Sequence, residues 1–262
     1  MTLFQNSALE HALRRPQPTV VPQLDNSSIS ALYRAARVGG DFYDFLITDS
    51  RRLVFLLLDV AGKREEALNI SAAVQDRMRP LAAELLGDDD VNEADALSEL
   101  MIELNRTVLR AAEGVRCAPG FLGCYEEKFG TLAYINAGHT PALLKDNEGV
   151  TRLEANGIPL GLFSHTTHDA RITAIQPGAA LLLVSRGLVE SKADSKEYGI
   201  ERLTESVSKI SFRNAEDLCT QVLADVKAFT ASAGRPRETE NDVTTLALVR
   251  AAERTAVVAG DG

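Results

Sequence analysis

The sequence predicts an α+β fold in a single domain. Strand-like segments fall into two groups, with one pair of helices between the groups and a second pair after them. The apolar runs "RRLVFLLLDV" (51–60) and "AALLLVS" (179–185) have strand length and the residue types of a buried sheet. Gly, Pro and Asn punctuate the chain at the spacing of antiparallel connections, not of alternating βαβ units.

Residues 1–18 are expected as a helical lead-in. Leu3, Phe4, Ala8, Leu9, Ala12 and Leu13 fall near helical spacing, and the prolines of "RPQPTVVPQL" break the pattern. Strands begin near Ser30 with "ALYRAARV", bend at Gly39–Gly40 into "GGDFYDFLI", and continue in the run that ends at Asp59. A helix is predicted over 65–86, opened by acidic residues and carrying Leu68, Ala72, Met78, Leu81 and Leu85 on a shared face. A second is predicted over 92–112. The intervening "GDDD" lacks the acidic alternation of a calcium loop and reads as a solvated turn. Four or five strands follow: "GFLGCYEE", "GTLAYINAG", "PALLKD", "HDARITAI" and "AALLLVS". Helices over 199–210 and 215–229 and a closing strand "VTTLALVR" complete a domain over 19–250, with a loose tail over 251–262.

The 262 residues suffice for a large core, and 45% hydrophobic with 25% charged residues is ordinary for a globular protein. A net charge of −9 without a basic stripe argues against nucleic-acid binding. Three cysteines, 117, 124 and 219, are odd in number and fit neither a metal knuckle nor a disulfide framework. With no signal peptide or membrane-length apolar stretch, the expectation is a cytoplasmic protein.

Acidic or amide side chains end the apolar strands at three places: Asp41 and Asp44 in "GGDFYD", Asp59 in "LLLDVAGK", and Asn241 and Asp242 in "RETENDVTT". Carboxylates presented at strand ends suit hard cations such as Mg²⁺ and Mn²⁺, although aspartates also simply decorate turns. The ordered set "RAARVGGDFYDF", "LLLDVAGK", "LAYINAGHTPALL", "GIPLGLF", "PGAALLLVSRGLVESKADSKEYGIERL" and "ENDVTTLALVR" resembles the metal-dependent (PPM, type 2C) protein phosphatases, in their SpoIIE/RsbU-like bacterial branch. The resemblance runs from about Leu13 to Arg250. It implies an αββα sandwich of two antiparallel sheets flanked by helices, with two Mn²⁺ or Mg²⁺ ions at one sheet end. There they activate a water that attacks the phosphorus of phosphoserine or phosphothreonine.

By resemblance, Asp59 bridges both metals and the Val60 carbonyl is a further ligand. Asp41 holds metal-bound water, with Asp44 supporting it. Asp242, next to the last ligand position, is a further metal-site candidate, and either Arg34 or Arg37 grips the substrate phosphate.

The departures cluster on the metal ligands. The family's "TDG" is "SRG" here, which puts Arg186 at a ligand position, and the first aspartate of its "DD-x-T" is Asn241. Arg64 replaces a frequent glycine after "G-K". A guanidinium is always charged and cannot coordinate a cation. The expectation is therefore a signalling protein with a degraded metal site, a pseudophosphatase or a weakly active enzyme, in which Arg186 turns into the acidic cleft. The alternative is an active Mn/Mg-dependent serine/threonine phosphatase. In either case the resemblance implies a phosphorylated anti-anti-sigma (STAS-domain) protein as partner. His139 in "INAGHTP" is read as part of a turn. His165 and His168 in "HTTH" are read as a solvated loop, and "GKREE" lacks the upstream glycine of a phosphate loop.

Overall fold

The computed structural model describes residues 14–35, 40–112, 114–231 and 241–252. The described chain opens with β1 (Ser27–Arg34), β2 (Asp41–Ile47) and β3 (Leu53–Asp59), followed by helices α1 (Arg64–Leu86) and α2 (Glu93–Ala111). Next come β4 (Gly120–Glu126), β5 (Thr131–Ala137), β6 (Ala142–Lys145), β7 (Val150–Leu153), β8 (Arg171–Ala174) and β9 (Ala180–Val184). A one-turn helix α3 (Arg186–Val189) and a hairpin of β10 (Lys192–Ala193) and β11 (Lys196–Glu197) precede α4 (Gly199–Lys209), α5 (Ala215–Ala231) and β12 (Val243–Arg250).

Two five-stranded sheets form, ordered β1-β12-β9-β6-β7 and β2-β3-β4-β5-β8. All their strand pairs are antiparallel. The central strands bury both faces, which is why their sequences read as continuous apolar runs. Along β3, Leu53, Phe55 and Leu57 face the other sheet, while Val54, Leu56 and Leu58 pack under α1 and α2. Along β9, Leu181 and Leu183 join the inter-sheet core, while Ala180, Leu182 and Val184 pack under α4 and α5. Three apolar layers thus separate four structural layers, the αββα sandwich expected above.

The expected lead-in helix falls largely on residues 1–13, outside the described residues, and 14–18 carry no regular structure. That short segment lies against α1: the backbone N–H of Gln17 donates to Gln75 Oε1 at 2.6 Å, and Gln75 Nε2 donates back to the Gln17 carbonyl at 3.0 Å. "GDDD" is a turn, closed by buried Arg52, whose guanidinium donates to the carbonyls of Asp88 and Asp89 and to Glu93. All three cysteines are free thiols. Among the described residues, no helix is long and apolar enough to cross a membrane.

Candidate functional site

A sandwich whose strands end on polar residues must collect them at its rim. β2 begins at Asp41 and β3 ends at Asp59, and the two aspartates are direct partners in the antiparallel register. The facing sheet contributes the end of β9, continuing into Ser185 and Arg186, and the start of β12 after Asn241 and Asp242. These ends enclose a cleft of about 130 Å³ that brings together Asp41, Asp59, Val60, Arg186, Asn241 and Asp242.

Two glycines permit the close approach of these segments. A Cβ on Gly40 would lie 1.9 Å from the Val60 carbonyl oxygen, and one on Gly187 would lie 2.1 Å from the Asp242 carbonyl oxygen. Ser185 ties β9 to β12: its hydroxyl accepts from Thr244 N–H at 3.0 Å, and its own N–H donates to the Thr244 carbonyl at 2.9 Å.

Each aspartate of the cleft has a protein partner. Thr244 Oγ1 donates to Asp41 Oδ2 at 2.6 Å, a bond between the two sheets. The Tyr33 hydroxyl donates to Asp242 Oδ2 at 2.7 Å. Arg186 Nε stands 3.6 Å from Asp59 Oδ2 and 3.6 Å from Glu190 Oε1, within charge-pairing range but beyond a hydrogen bond. Asn241 Nδ2 donates to the other Glu190 oxygen at 3.2 Å.

Burial pushes the Asp41 carboxyl up to about 7; hydrogen bonds from Ser185 and Thr244 oppose the shift, and the charges of Asp59 and Asp242 add to it. Asp59 is raised as well, chiefly by burial, with Arg186 pulling it back and Glu190 and Asp242 pushing it up. Burial and the bond to Asp242 raise the Tyr33 hydroxyl above its ordinary range, while Arg64 acts against that shift. The cleft therefore tends to keep a proton on Asp41 near neutral pH.

The other expected residues that are described lie elsewhere. Asp44 does not support Asp41. Three residues along a strand reverse the face, and Asp44 is fully buried under α1, held by Arg79 Nε and Nη2 at 2.8 Å each and by Thr19 Oγ1 at 2.9 Å. Arg34 ends β1 opposite Val243 but is not part of the cleft lining. Strand alternation puts it on the face of Leu32, which packs toward α4 and α5, while Tyr33 shares the face of Ile29 and Ala31. Arg37 lies outside the described residues. His139 is buried, its Nδ1 3.1 Å from Thr140 Oγ1, and His168 is buried without a hydrogen-bond partner for either ring nitrogen. Among the described residues, no group of three or more His, Cys, Asp or Glu side chains is placed to hold a metal ion.

Sequence reasoning missed Tyr33, Thr244 and Glu190. Two of them had a local signal: Thr244 follows Asp242 at the two-residue period of a strand, and Glu190 follows Arg186 at the four-residue spacing of a helix.

The family model described as Stage II sporulation protein E (SpoIIE) matches residues 49–251. Protein IcfG of Synechocystis sp. is 25% identical over 212 residues, 73% of this chain and 33% of that protein. Phosphoserine phosphatase RsbP of Bacillus subtilis is 24% identical over 220 residues, 78% of this chain and 53% of that protein. The chain thus spans between a third and about half of these curated relatives. The crystal structure of the RsbU and RsbW domains of Rv1364c from Mycobacterium tuberculosis superposes with a TM-score of 0.66 at 25% identity, covering 90% of this chain and 64% of that one. A family match over most of the chain, together with a two-sheet sandwich shared with a solved RsbU domain, shows that the chain belongs to the SpoIIE family of PPM-type phosphatase domains.

Proposed function

We propose that this domain acts in bacterial partner-switching signalling as a pseudophosphatase, binding its partner through a phosphatase fold whose metal centre has been lost. The observation that carries the reading is the Arg186 guanidinium 3.6 Å from Asp59, where the family resemblance expects an aspartate ligand. The residues do not fit a pair of Mn²⁺ or Mg²⁺ ions. Arg186 brings positive charge to the carboxylate that would bridge them, and Asn241 supplies an amide in place of a carboxylate and spends its Nδ2 on Glu190. Divalent affinity in oxygen sites follows ligand charge, so both changes act in the same direction. No hydrolytic step through metals is assigned to these residues.

The relatives' names, a phosphoserine phosphatase and a protein with RsbU and RsbW domains, support a partner in phosphoserine signalling. A phosphorylated anti-anti-sigma (STAS-domain) protein is the partner proposed. The test pairs calorimetry with Mn²⁺ and Mg²⁺ against turnover of such a phosphoserine protein. The expected result is partner binding without turnover and no metal binding below millimolar concentration. With a dissociation constant of 1 mM or weaker, 1 mM Mn²⁺ stabilises the fold by no more than about 0.4 kcal/mol. Arg186→Asp combined with Asn241→Asp should regain Mn²⁺ binding. Mn²⁺-dependent turnover by the natural sequence overturns the reading in favour of an active phosphatase.

A further inference from the structure

The cleft's two altered positions meet on one carboxylate. Glu190 lies one helical turn beyond Arg186; one of its oxygens faces the Arg186 Nε at 3.6 Å and the other accepts from Asn241 Nδ2 at 3.2 Å. Arg186 in turn spans from Glu190 on the α3 side to Asp59 on β3. From this geometry we infer that Arg186 is a built-in counter-cation. It stands in for a divalent ion by linking the carboxylate of Asp59 at the end of β3 to that of Glu190 at the end of α3, and Glu190 holds it and Asn241 in one unit. The inference deepens the pseudophosphatase reading and rests on it.

The charge arrangement gives the argument its sign. Asp59 is mostly buried and has Asp242 and Glu190 as negative neighbours, so its charge needs a compensating cation. In a metal-dependent relative that cation comes from solution and the empty site repels itself. Here the cation is covalently attached, so the cleft forms without added ions. The aspartates hold Thr244, Tyr33 and Arg186 as partners, and the amide at 241 donates to the carboxylate that also faces the arginine. The Arg186 side chain is 55% exposed, so the pair contributes modestly to stability, and its larger effect is on what else can enter the cleft.

The experiment compares the natural protein with Arg186→Met and Arg186→Lys, measuring melting temperature in EDTA and in 1 mM Mn²⁺, and Mn²⁺ binding by calorimetry. Methionine keeps an unbranched stem that reaches about as far as Nε and removes the charge. It should lower the melting temperature in EDTA by about 2 °C, recover that loss on adding Mn²⁺, and bind Mn²⁺ at least about tenfold more tightly than the natural protein. Lysine keeps the charge and should reproduce the natural protein's indifference to both EDTA and Mn²⁺. The inference is overturned if the methionine variant melts as the natural protein does in EDTA, if it gains no Mn²⁺ binding, or if the lysine variant responds to Mn²⁺ as the methionine variant does. Those outcomes leave the pseudophosphatase reading standing, because that reading falls only with phosphoserine turnover by the natural sequence.

Discussion

Asp41 is half-buried among carboxylates, and the cost of charging it there lifts its carboxyl to about 7. A carboxyl raised on folding favours the protonated folded state. Its contribution to stability is complete below the ordinary carboxylate value near 4 and is lost as pH rises through about 7. Asp41→Asn keeps an acceptor for Thr244 Oγ1 and removes the charge. It should melt like the natural protein near pH 4 and several degrees higher at pH 8; parallel melting curves across that range would contradict the assignment. Gly187 offers a second test at this scale. An alanine Cβ there meets the Asp242 carbonyl at 2.1 Å, a backbone atom that cannot swing aside, so Gly187→Ala should cost about 1–3 kcal/mol in denaturant unfolding. Which residues gather at the cleft was legible because ending an apolar run is a local property, and Asp41, Asp59, Arg186, Asn241 and Asp242 all do so. Their partners were not. Thr244 lies 203 residues from Asp41 and meets it only through the stacking of the two sheets, while Tyr33 lies 209 from Asp242 and meets it only through the pairing of β1 with β12 within one sheet.

The elements follow the same division between local pattern and distant pairing. α1 and α2 were readable to within a residue or two, because a helix declares itself through its own periodicity and caps; Asn92 Oδ1 accepts from the N–H groups of Ala94 and Asp95 at the head of α2. β7 was missed because only Leu153 of "VTRL" is buried, on an edge strand whose outward residues are polar. α3 was missed because four residues carry no periodicity, and a single turn forms only where tertiary contacts hold it. The α1–α2 connection depends on Arg52, whose side chain is 6% exposed and binds Glu93 as well as two loop carbonyls. Arg52→Met removes one partner of a buried pair and leaves Glu93 and the carbonyls unsatisfied. It should cost about 3 kcal/mol, a fall in melting temperature of about 6–12 °C. A loss of less than a degree would mean that water replaces the guanidinium at this loop.

At the scale of the whole molecule, the sandwich is closed by segments that cross between layers. Asn136 at the end of β5 is fully buried; its Oδ1 accepts from His139 N–H at 2.8 Å, and its Nδ2 donates to the Leu153 carbonyl at 3.2 Å. The Thr140 hydroxyl donates to the Val184 carbonyl, so the turn that carries His139 is fastened to the end of β9 next to the cleft. His139 is held neutral there, its imidazole driven down to about 4 by burial, with the Thr140 carbonyl as a weaker opposing influence. A histidine lowered on folding has the opposite sign to Asp41. Its contribution is complete above the ordinary value near 6.5 and is lost as pH falls toward 4, because the unfolded chain takes up the proton first. The two groups therefore pull stability in opposite directions over one pH interval, Asp41 favouring the acid side and His139 the neutral side. His139→Gln removes the titration at the price of altered packing, so the informative quantity is the slope of melting temperature against pH, not its level. Between pH 6.5 and 4 the variant should lose less stability than the natural protein, and Asp41→Asn should lose more. An unchanged slope in His139→Gln would show that the imidazole takes up its proton as readily in the fold as in the unfolded chain, so that burial does not lower it.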